Sequence, residues 1–471
     1  MFKPRSHIPG ASRNPSPANT TYTKQGNIVD HRCPTEPDHE EPVQRKSPWM
    51  QAETGHTRLV ATTVGRVQVT RIAYRAPGVS NLHPADARLS LPDKMYSFPL
   101  QHQVVHEVAG GSLRAAREAI IRGTGAHLGT RQLMHIATEA AVDIRDFYQQ
   151  MANPKPGPAG DSGYDVLVLS VDATGVNMIA SDLRAPAPPR PAGPQPPSAQ
   201  LSRRERTGRS RMAVVTAIYD AVPAPRTAAD ILPADTRERA ARQPGPKTSG
   251  RKVDASLQHS VAPMVAALFD QAETRDPHHR RRWIVLVDGA NHQLECLEAE
   301  AKHRGVQIDI VVDFIHVLEY LWKAAEDLHP THTARAAFVQ TTARDLLEGH
   351  APQVIADLRA RLRTRDDNPA PGLQRAIAYL HAKQPYLNYH IALALGWPIA
   401  TGVIEGCCRY LVKDRLDITG ARWSLTGGEA VLLLRAVIAN GDFDAYWRFH
   451  LNREHERIHA SRYQDHFALA A

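Results

Sequence analysis

Cysteine is scarce in this chain. Four thiols in 471 residues are too few and too scattered for a disulfide framework. Cys33, Cys296 and the adjacent Cys407 and Cys408 have no C-x-x-C spacing, which argues against a zinc ribbon. The adjacent pair reads as two reduced thiols on successive helix faces. No apolar run approaches the roughly 18 residues of a membrane span, and no apolar stretch follows the early basic residues as in a signal peptide. A soluble, cytoplasmic protein is expected. There is no G-x-x-x-x-G-K-[ST] and no G-x-G-x-x-G, so nucleotide hydrolysis is disfavoured. There is no G-x-S-x-G, and neither Cys407 nor Cys408 has an evident base, so a covalent nucleophile is not indicated. Charge of one sign is only mildly in excess: 57 Lys and Arg against 49 Asp and Glu, net +8. That balance suits a polyanionic partner without requiring one.

The apolar patterning divides the chain. Residues 1–55 are rich in Pro, Ser, Asn, His and charge and carry no apolar period, so disorder is expected there. "RLVATTVGRVQVTRIAYR" alternates as a β-hairpin turning near Gly65. Two helices follow across Gly123-Thr124-Gly125. Ser112 can cap the first; the second carries Arg131, Gln132 and His135 near its start. The pair suits a helix-turn-helix reading DNA, and equally an ordinary αα-hairpin. A linker then leads to two strand-like runs, "YDVLVLSVDATGVNM" and "RMAVVTAIYDAVP". Between them lies a proline-rich loop that ends in Arg203, Arg204, Arg206, Arg209 and Arg211. Such a run is either a solvated loop or a phosphate-backbone contact. Leu257–Ala272 reads as a helix packing the sheet, and Asp276–Arg282 as a solvated basic turn. After a strand over Ile308–Val312 the pattern is helical as far as Gly396.

"WIVLVDGANH" carries the sharpest local signal. Ile284 to Val287 form a continuous apolar run, the pattern of a strand covered on both faces. The run stops on Asp288, and Gly289 breaks the strand. "VLVLSVD" ends on Asp172 in the same way. Parallel neighbours of this kind would bring both carboxylates to one sheet edge, where ligands bind. Glu405, in "GVIEG", opens a later helix. Two strand-end aspartates and a helical glutamate are what a two-metal phosphoryl-transfer site needs. Carboxylates there hold two Mg²⁺ ions about 3.5–4 Å apart. Taken singly, each acid is more often a surface or capping group. Asp313 and His316 form a D-x-x-H whose members share a helix face. They read as a brace at the strand-to-helix junction, or as support for ligands, ahead of direct ligation.

An ordered set of motifs carries a resemblance. "RIAYRAPG", "LHPADARLSLP", "YSFPLQ", "VDATGV", "RMAVVTAIYD", "VDGANH", "DFIHVLEYLWKAA", "GVIEGCCRYLVKDRLDITGARW" and "GGEAVLLLRAVIANGDFDAYW" run from about residue 58 to 462. The chain resembles bacterial insertion-sequence transposases of the ISKra type, acidic-triad (DDE) enzymes with a Mutator-like catalytic core. The resemblance implies an α/β fold: a ribonuclease H-like core, interrupted by an all-helical insertion and preceded by a β-hairpin and helical DNA-binding region. Composition and resemblance together give the expected division: 1–55 disordered, 56–152 DNA-binding, 153–328 first part of the core, 329–400 insertion, and 401–471 final core helices. Asp172, Asp288 and Glu405 match the three metal-binding acids, and Asp313 and His316 the D-x-x-H signature. Arg422 and Trp423 match an "RW" block whose role, DNA contact or packing, is open. Relatives often carry upstream cysteines; here Cys33 stands alone.

The resulting expectation is a DNA transposase that binds terminal inverted repeats and target double-stranded DNA. It would cut and join strands with two Mg²⁺ (or Mn²⁺) ions and act as a homodimer or larger assembly, without nucleotide or membrane. Arg131, the arginines of 203–211, Lys413, Arg415, Arg422 and Trp423 are its expected DNA contacts. The rival readings are a ribonuclease H-like nuclease or resolvase that cuts without joining, and a non-catalytic transposase-derived regulator.

Overall fold

The computed structural model describes residues 27–28, 51–75, 81–151, 166–183, 210–364, 369–418 and 420–460. They belong to two compact units. The smaller draws on residues 1–103, 118–128 and 451–471, and the larger on 104–117 and 129–450. The expected disorder of 1–55 falls mostly outside the described residues, as do Cys33 and Arg203, Arg204, Arg206 and Arg209.

In the smaller unit the expected hairpin forms. β2 (Gln51–Thr62) and β3 (Gly65–Arg75) pair antiparallel from Thr62↔Gly65 outward. β1 (Asn27–Ile28) adds to β3 in parallel. β2 begins earlier than the sequence suggests, because "QAETG" has no apolar alternation. Val67, Val69 and Ala73 supply the buried face of β3. Arg71 closes an ion pair with Asp86, while the Arg58 guanidinium donates to the carbonyls of Pro92, Asp93 and Lys94.

The larger unit is built on a five-stranded mixed sheet, in the order β6-β5-β4-β7-β8. β5 (Ser210–Val222) runs antiparallel to both β4 (Val166–Asn177) and β6 (Lys247–Ser256), whereas β4, β7 (Arg282–Val287) and β8 (Ile308–Val312) are mutually parallel. Side chains alternate across a strand, so an uninterrupted apolar run means two covered faces. Val166, Val168, Ile284 and Leu286 face one cluster, shared with the helices that follow β8. Leu167, Leu169, Val171, Val285 and Val287 face the other, against the helices Val261–Arg275 and Asn291–Arg304. β6 was not legible as a strand. It is an edge strand whose outer half is exposed and whose Lys247, Arg251 and Lys252 suit an unpaired edge.

Between β8 and Ala400 all regular structure among the described residues is helical: Phe314–Leu328, His332–Leu347, Ala351–Arg363, Pro371–Lys383, a short turn at Gln384–Tyr386, and Tyr389–Ala394. Two of these helices nearly touch backbone to backbone: a methyl group on Gly372 would lie 2.2 Å from the Lys323 carbonyl oxygen. Asp327 exploits that approach and accepts from the Gly372 and Leu373 N–H groups at 2.7 and 2.9 Å, capping one helix from the flank of another.

Leu113–Thr124 and Thr130–Glu139 are helices, as the sequence suggests, and Ser112 accepts from Ala115 N at 3.1 Å. The second does not stand as a separate reading head. Leu133, Ile136 and Ala137 are buried, and the helix packs on Leu425–Ala439 in the larger unit. Arg131 and His135 stay on its exposed side.

Candidate active site

The expectation that β4 ends at Asp172 needs correction. The strand continues to Asn177, because β5 keeps pairing with it as far as Asn177↔Ser210. What stops short of Asp172 is the parallel pairing with β7, whose last pair is Leu169↔Val285. Extending that register by three residues (169 + 3 and 285 + 3) sets Asp172 level with Asp288. The two carboxylates interact: burial first, and then the charge of Asp288, raise the Asp172 carboxyl above its ordinary range. The Ala173 N–H at 2.6 Å, the Cys408 thiol at 3.2 Å and the Lys413 charge pull it back.

Gly289 explains why β7 stops where it does. Its φ is +88°, a region that L side chains rarely enter, and a Cβ there would lie 3.0 Å from the Tyr379 hydroxyl oxygen. The turn lets Asp288 Oδ1 accept from Ala290 N at 3.0 Å. It also aims the Asp288 carbonyl at Tyr379, whose hydroxyl donates to it at 2.8 Å. Burial keeps that phenol neutral.

Glu405 lies in the first turns of a helix (Gly402–Cys407) that widens into a π-helical segment over Cys408–Lys413. Irregular turns of this kind are frequent at functional sites. Cys408, three residues on and on the same face, donates to Asp172 Oδ2 and so docks the Glu405 helix onto β4. Asp313 anchors the start of that helix. It is buried, caps Phe314–Leu328 through Ile315 N, and accepts from Thr401 N at 3.2 Å and Thr401 Oγ1 at 2.8 Å. The same Thr401 hydroxyl reaches Glu405 Oε1 at 3.2 Å. One hydroxyl has one proton to give, so it cannot satisfy both carboxylates.

His316 does not join Asp313. It lies edge-on to Tyr320 and Tyr379, at centroid distances of 5.5 and 5.8 Å, with Glu319 at 3.7 Å. Cys408, Thr401 and Tyr379 escaped sequence reasoning. Only Cys408 had a legible signal, its i+3 spacing from Glu405.

Among the expected DNA contacts, Arg131, Lys413 and Arg422 are exposed. Arg211 donates to the Leu257 carbonyl at 2.7 Å. Arg415 is an interior residue. It is 3 % exposed, donates to Val108 O at 2.9 Å and lies over the Trp423 ring at 4.8 Å, so a phosphate cannot reach it in this structure. Trp423 is also buried. Its backbone bridges the end of β4 (Trp423 N to Asn177 O and Ile179 N to Trp423 O, both 2.9 Å), and its indole donates to Leu416 O. In this structure Trp423 is a packing residue.

No carboxylate of the three has a Lys or Arg at ion-pair distance among the described residues. Asp172 feels the Asp288 charge, and the helix that carries Glu405 is bonded to Asp172 through Cys408; a divalent cation would satisfy carboxylates gathered in this way. The three do not each bring an oxygen within 4.8 Å of the other two. The group that meets that distance is Asp345, Glu348 and His350, on the helical segment.

No family model and no curated protein matches this chain. A solved structure does: the Drosophila P element transposase strand transfer complex has a TM-score of 0.25 and 9% identity, covering 78% of this chain and 85% of that one. At that TM-score the likeness adds nothing to the geometry above.

Two outcomes follow from this geometry. Thr401→Val should remove the hydroxyl's bond to Asp313 and its contact with Glu405, loosening the start of the Glu405 helix while Ile315 N still bonds Asp313, and lower divalent-metal affinity by about 10- to 100-fold, the usual cost of losing a ligand's support. A Mn²⁺ titration followed by electron paramagnetic resonance would check it. Asp172→Asn should leave the metal-free protein at least as stable as wild type at neutral pH. A carboxyl raised on folding stabilises fully below its unfolded value, and that stability is lost as pH rises through the folded value. Thermal unfolding with chelator should show the variant's advantage shrinking as pH falls from the raised Asp172 value towards the ordinary carboxylate range, and gone below that range.

Proposed function

We propose that the chain is a DNA transposase of the acidic-triad class, with a ribonuclease H-like core carrying Asp172, Asp288 and Glu405. The observation that supports this most is that Asp172 feels the charge of Asp288 across parallel β4 and β7, while the Cys408 thiol ties the Glu405 helix to Asp172. The finer assignment to ISKra-type enzymes rests on the sequence motifs.

In this reading the three acids hold divalent cations, Mg²⁺ or Mn²⁺. When bound, such ions supply Lewis-acid activation of an attacking oxygen and neutralise charge on the leaving one. The chain's own residues do the positioning. Asp313 and Thr401 fix the Glu405 helix, Cys408 orients Asp172, and Gly289 lets backbone and substrate approach Asp288. Exposed Arg131, Lys413 and Arg422 serve the phosphate backbone of double-stranded DNA, which makes affinity fall with salt. Water attack frees a 3′-OH, and that hydroxyl then attacks target DNA at the same acids. Joining two ends calls for a homodimer or larger assembly. No described helix is long and apolar enough to cross a membrane, and the site of action in this reading is cytoplasmic DNA.

The test is a strand-transfer assay with labelled element-end DNA, target plasmid and Mg²⁺ or Mn²⁺. The proposal expects both cleaved and joined products. Cleavage without joining would replace it with a nuclease, and binding without cleavage with a regulator.

A further inference from the structure

Beside Asp288 the helical segment presents an aromatic surface that the phosphoryl-transfer chemistry does not use. Tyr320 and Tyr379 are stacked at 4.0 Å between ring centroids and 11° between planes. Tyr379 is fixed from behind by its hydrogen bond to the Asp288 carbonyl. His316 closes the edge of both rings. Tyr320 is only partly buried, and Lys323, an exposed and flexible side chain, lies over its ring at 5.1 Å.

The neighbouring charges form a stripe. Arg375, Tyr379 and Lys383 follow one another at i, i+4 and i+8 of the helix Pro371–Lys383 and therefore share a face. Arg375 is exposed at the far end; Lys383 is buried at the near end, where it donates to Asn291 Oδ1. A rigid ring pair, with cations on either side, ends at a carboxylate bound for phosphodiester chemistry. Both rings also pack against the hydrophobic core, yet Tyr320 keeps part of its surface open. Such a face suits a polynucleotide, because every base has a π-face and every linkage a phosphate.

We propose that Tyr320, backed by Tyr379, is a stacking platform for an unpaired DNA base next to the scissile phosphate, with Lys323 and Arg375 contacting the flanking phosphates. This rests on the transposase reading of the adjacent acids. The base displaces the Lys323 side chain from the ring and takes its place, and the freed ammonium turns to the backbone. The site is sequence-tolerant, since stacking reads no base edge. It favours DNA that is frayed or single-stranded at the cut, where unstacking costs least.

The test uses the full chain, without divalent metal, and a short single-stranded oligothymidylate with one central 2-aminopurine. Binding is read by anisotropy of an end label, and stacking by quenching of the 2-aminopurine. Wild type and Tyr320→Phe should bind and quench alike. Tyr320→Leu, which keeps the apolar packing on Tyr379, should lose the quench and bind about 10- to 100-fold more weakly. Lys323→Ala should weaken binding and flatten its salt dependence but keep the quench. Equal quenching by Tyr320→Leu and wild type would overturn the platform while leaving the transposase reading intact. Absence of any DNA binding, to this probe or to duplex, would overturn both. Cleavage of duplex by a protein whose Tyr320→Leu variant is unimpaired in binding would overturn the platform alone.

Discussion

Asp288→Asn should reduce DNA cleavage and strand joining by more than about 100-fold, beyond the usual effect of losing a group that merely supports a metal ligand. The substitution isolates charge from structure. Asparagine has the same shape, and its carbonyl oxygen can still accept from Ala290 N, the bond that shapes the turn. Gly289 and the Tyr379 contact with the backbone carbonyl are untouched. Removing the charge also relieves Asp172, whose carboxyl is raised by burial and by Asp288, so the variant should fold at least as well as wild type. DNA affinity without metal should be unchanged or slightly higher, because one negative charge facing phosphate has gone. Gel-resolved products on labelled DNA, with unfolding curves alongside, separate these effects. Activity within a few-fold of wild type would remove Asp288 from the chemistry.

The second large effect concerns the fold. Glu429 is 4% exposed and fully engaged. One oxygen accepts from Ser256 Oγ and Arg145, both at 2.8 Å, and the other from Leu257 N at 2.6 Å and Gln258 N at 3.2 Å. It ties the helix Leu425–Ala439 to the end of β6, the edge strand whose own sequence does little to hold it. Glu429→Ala would strand the buried Leu257 N–H and take the partner from the part-exposed Arg145, costing about 1–3 kcal/mol. Glu429→Gln, which keeps one acceptor and the shape, should cost less. Denaturant midpoints give the ranking, and amide exchange at Leu257 should accelerate first. Equal stability of Glu429→Ala and wild type would mean that β6 is held by other contacts.

The sheet's centre was legible because burial on both faces leaves no room for polar alternation: β4, β5 and β7 announce themselves as apolar runs. β6 did not, since an edge strand needs only Val253, Ala255 and Ser256 inside, and its remainder reads as loop. The first two acids were legible by the same logic, a carboxylate closing an apolar run, though only pairing could show that β4 continues past Asp172. Long-range partners were not legible. Nothing near Thr401 in sequence says that its hydroxyl stands between Asp313 and Glu405, and nothing near Tyr379 says that it seats against Asp288. Charge misled in one place. Arg415 sits in a basic-looking segment, yet its planar guanidinium packs on Trp423 and bonds a carbonyl, a use that a sequence cannot separate from phosphate binding.

Asp172 and Asp288 are the residues proposed to hold the cation. Mn²⁺ binding, followed by electron paramagnetic resonance on wild type, Asp172→Asn, Asp288→Asn and Asp345→Asn, reads this out. Asp172→Asn and Asp288→Asn should each lose bound Mn²⁺ seen in wild type, while Asp345→Asn keeps it. Full binding by Asp288→Asn, with loss in Asp345→Asn, would rule this out and move the metal to Asp345, Glu348 and His350.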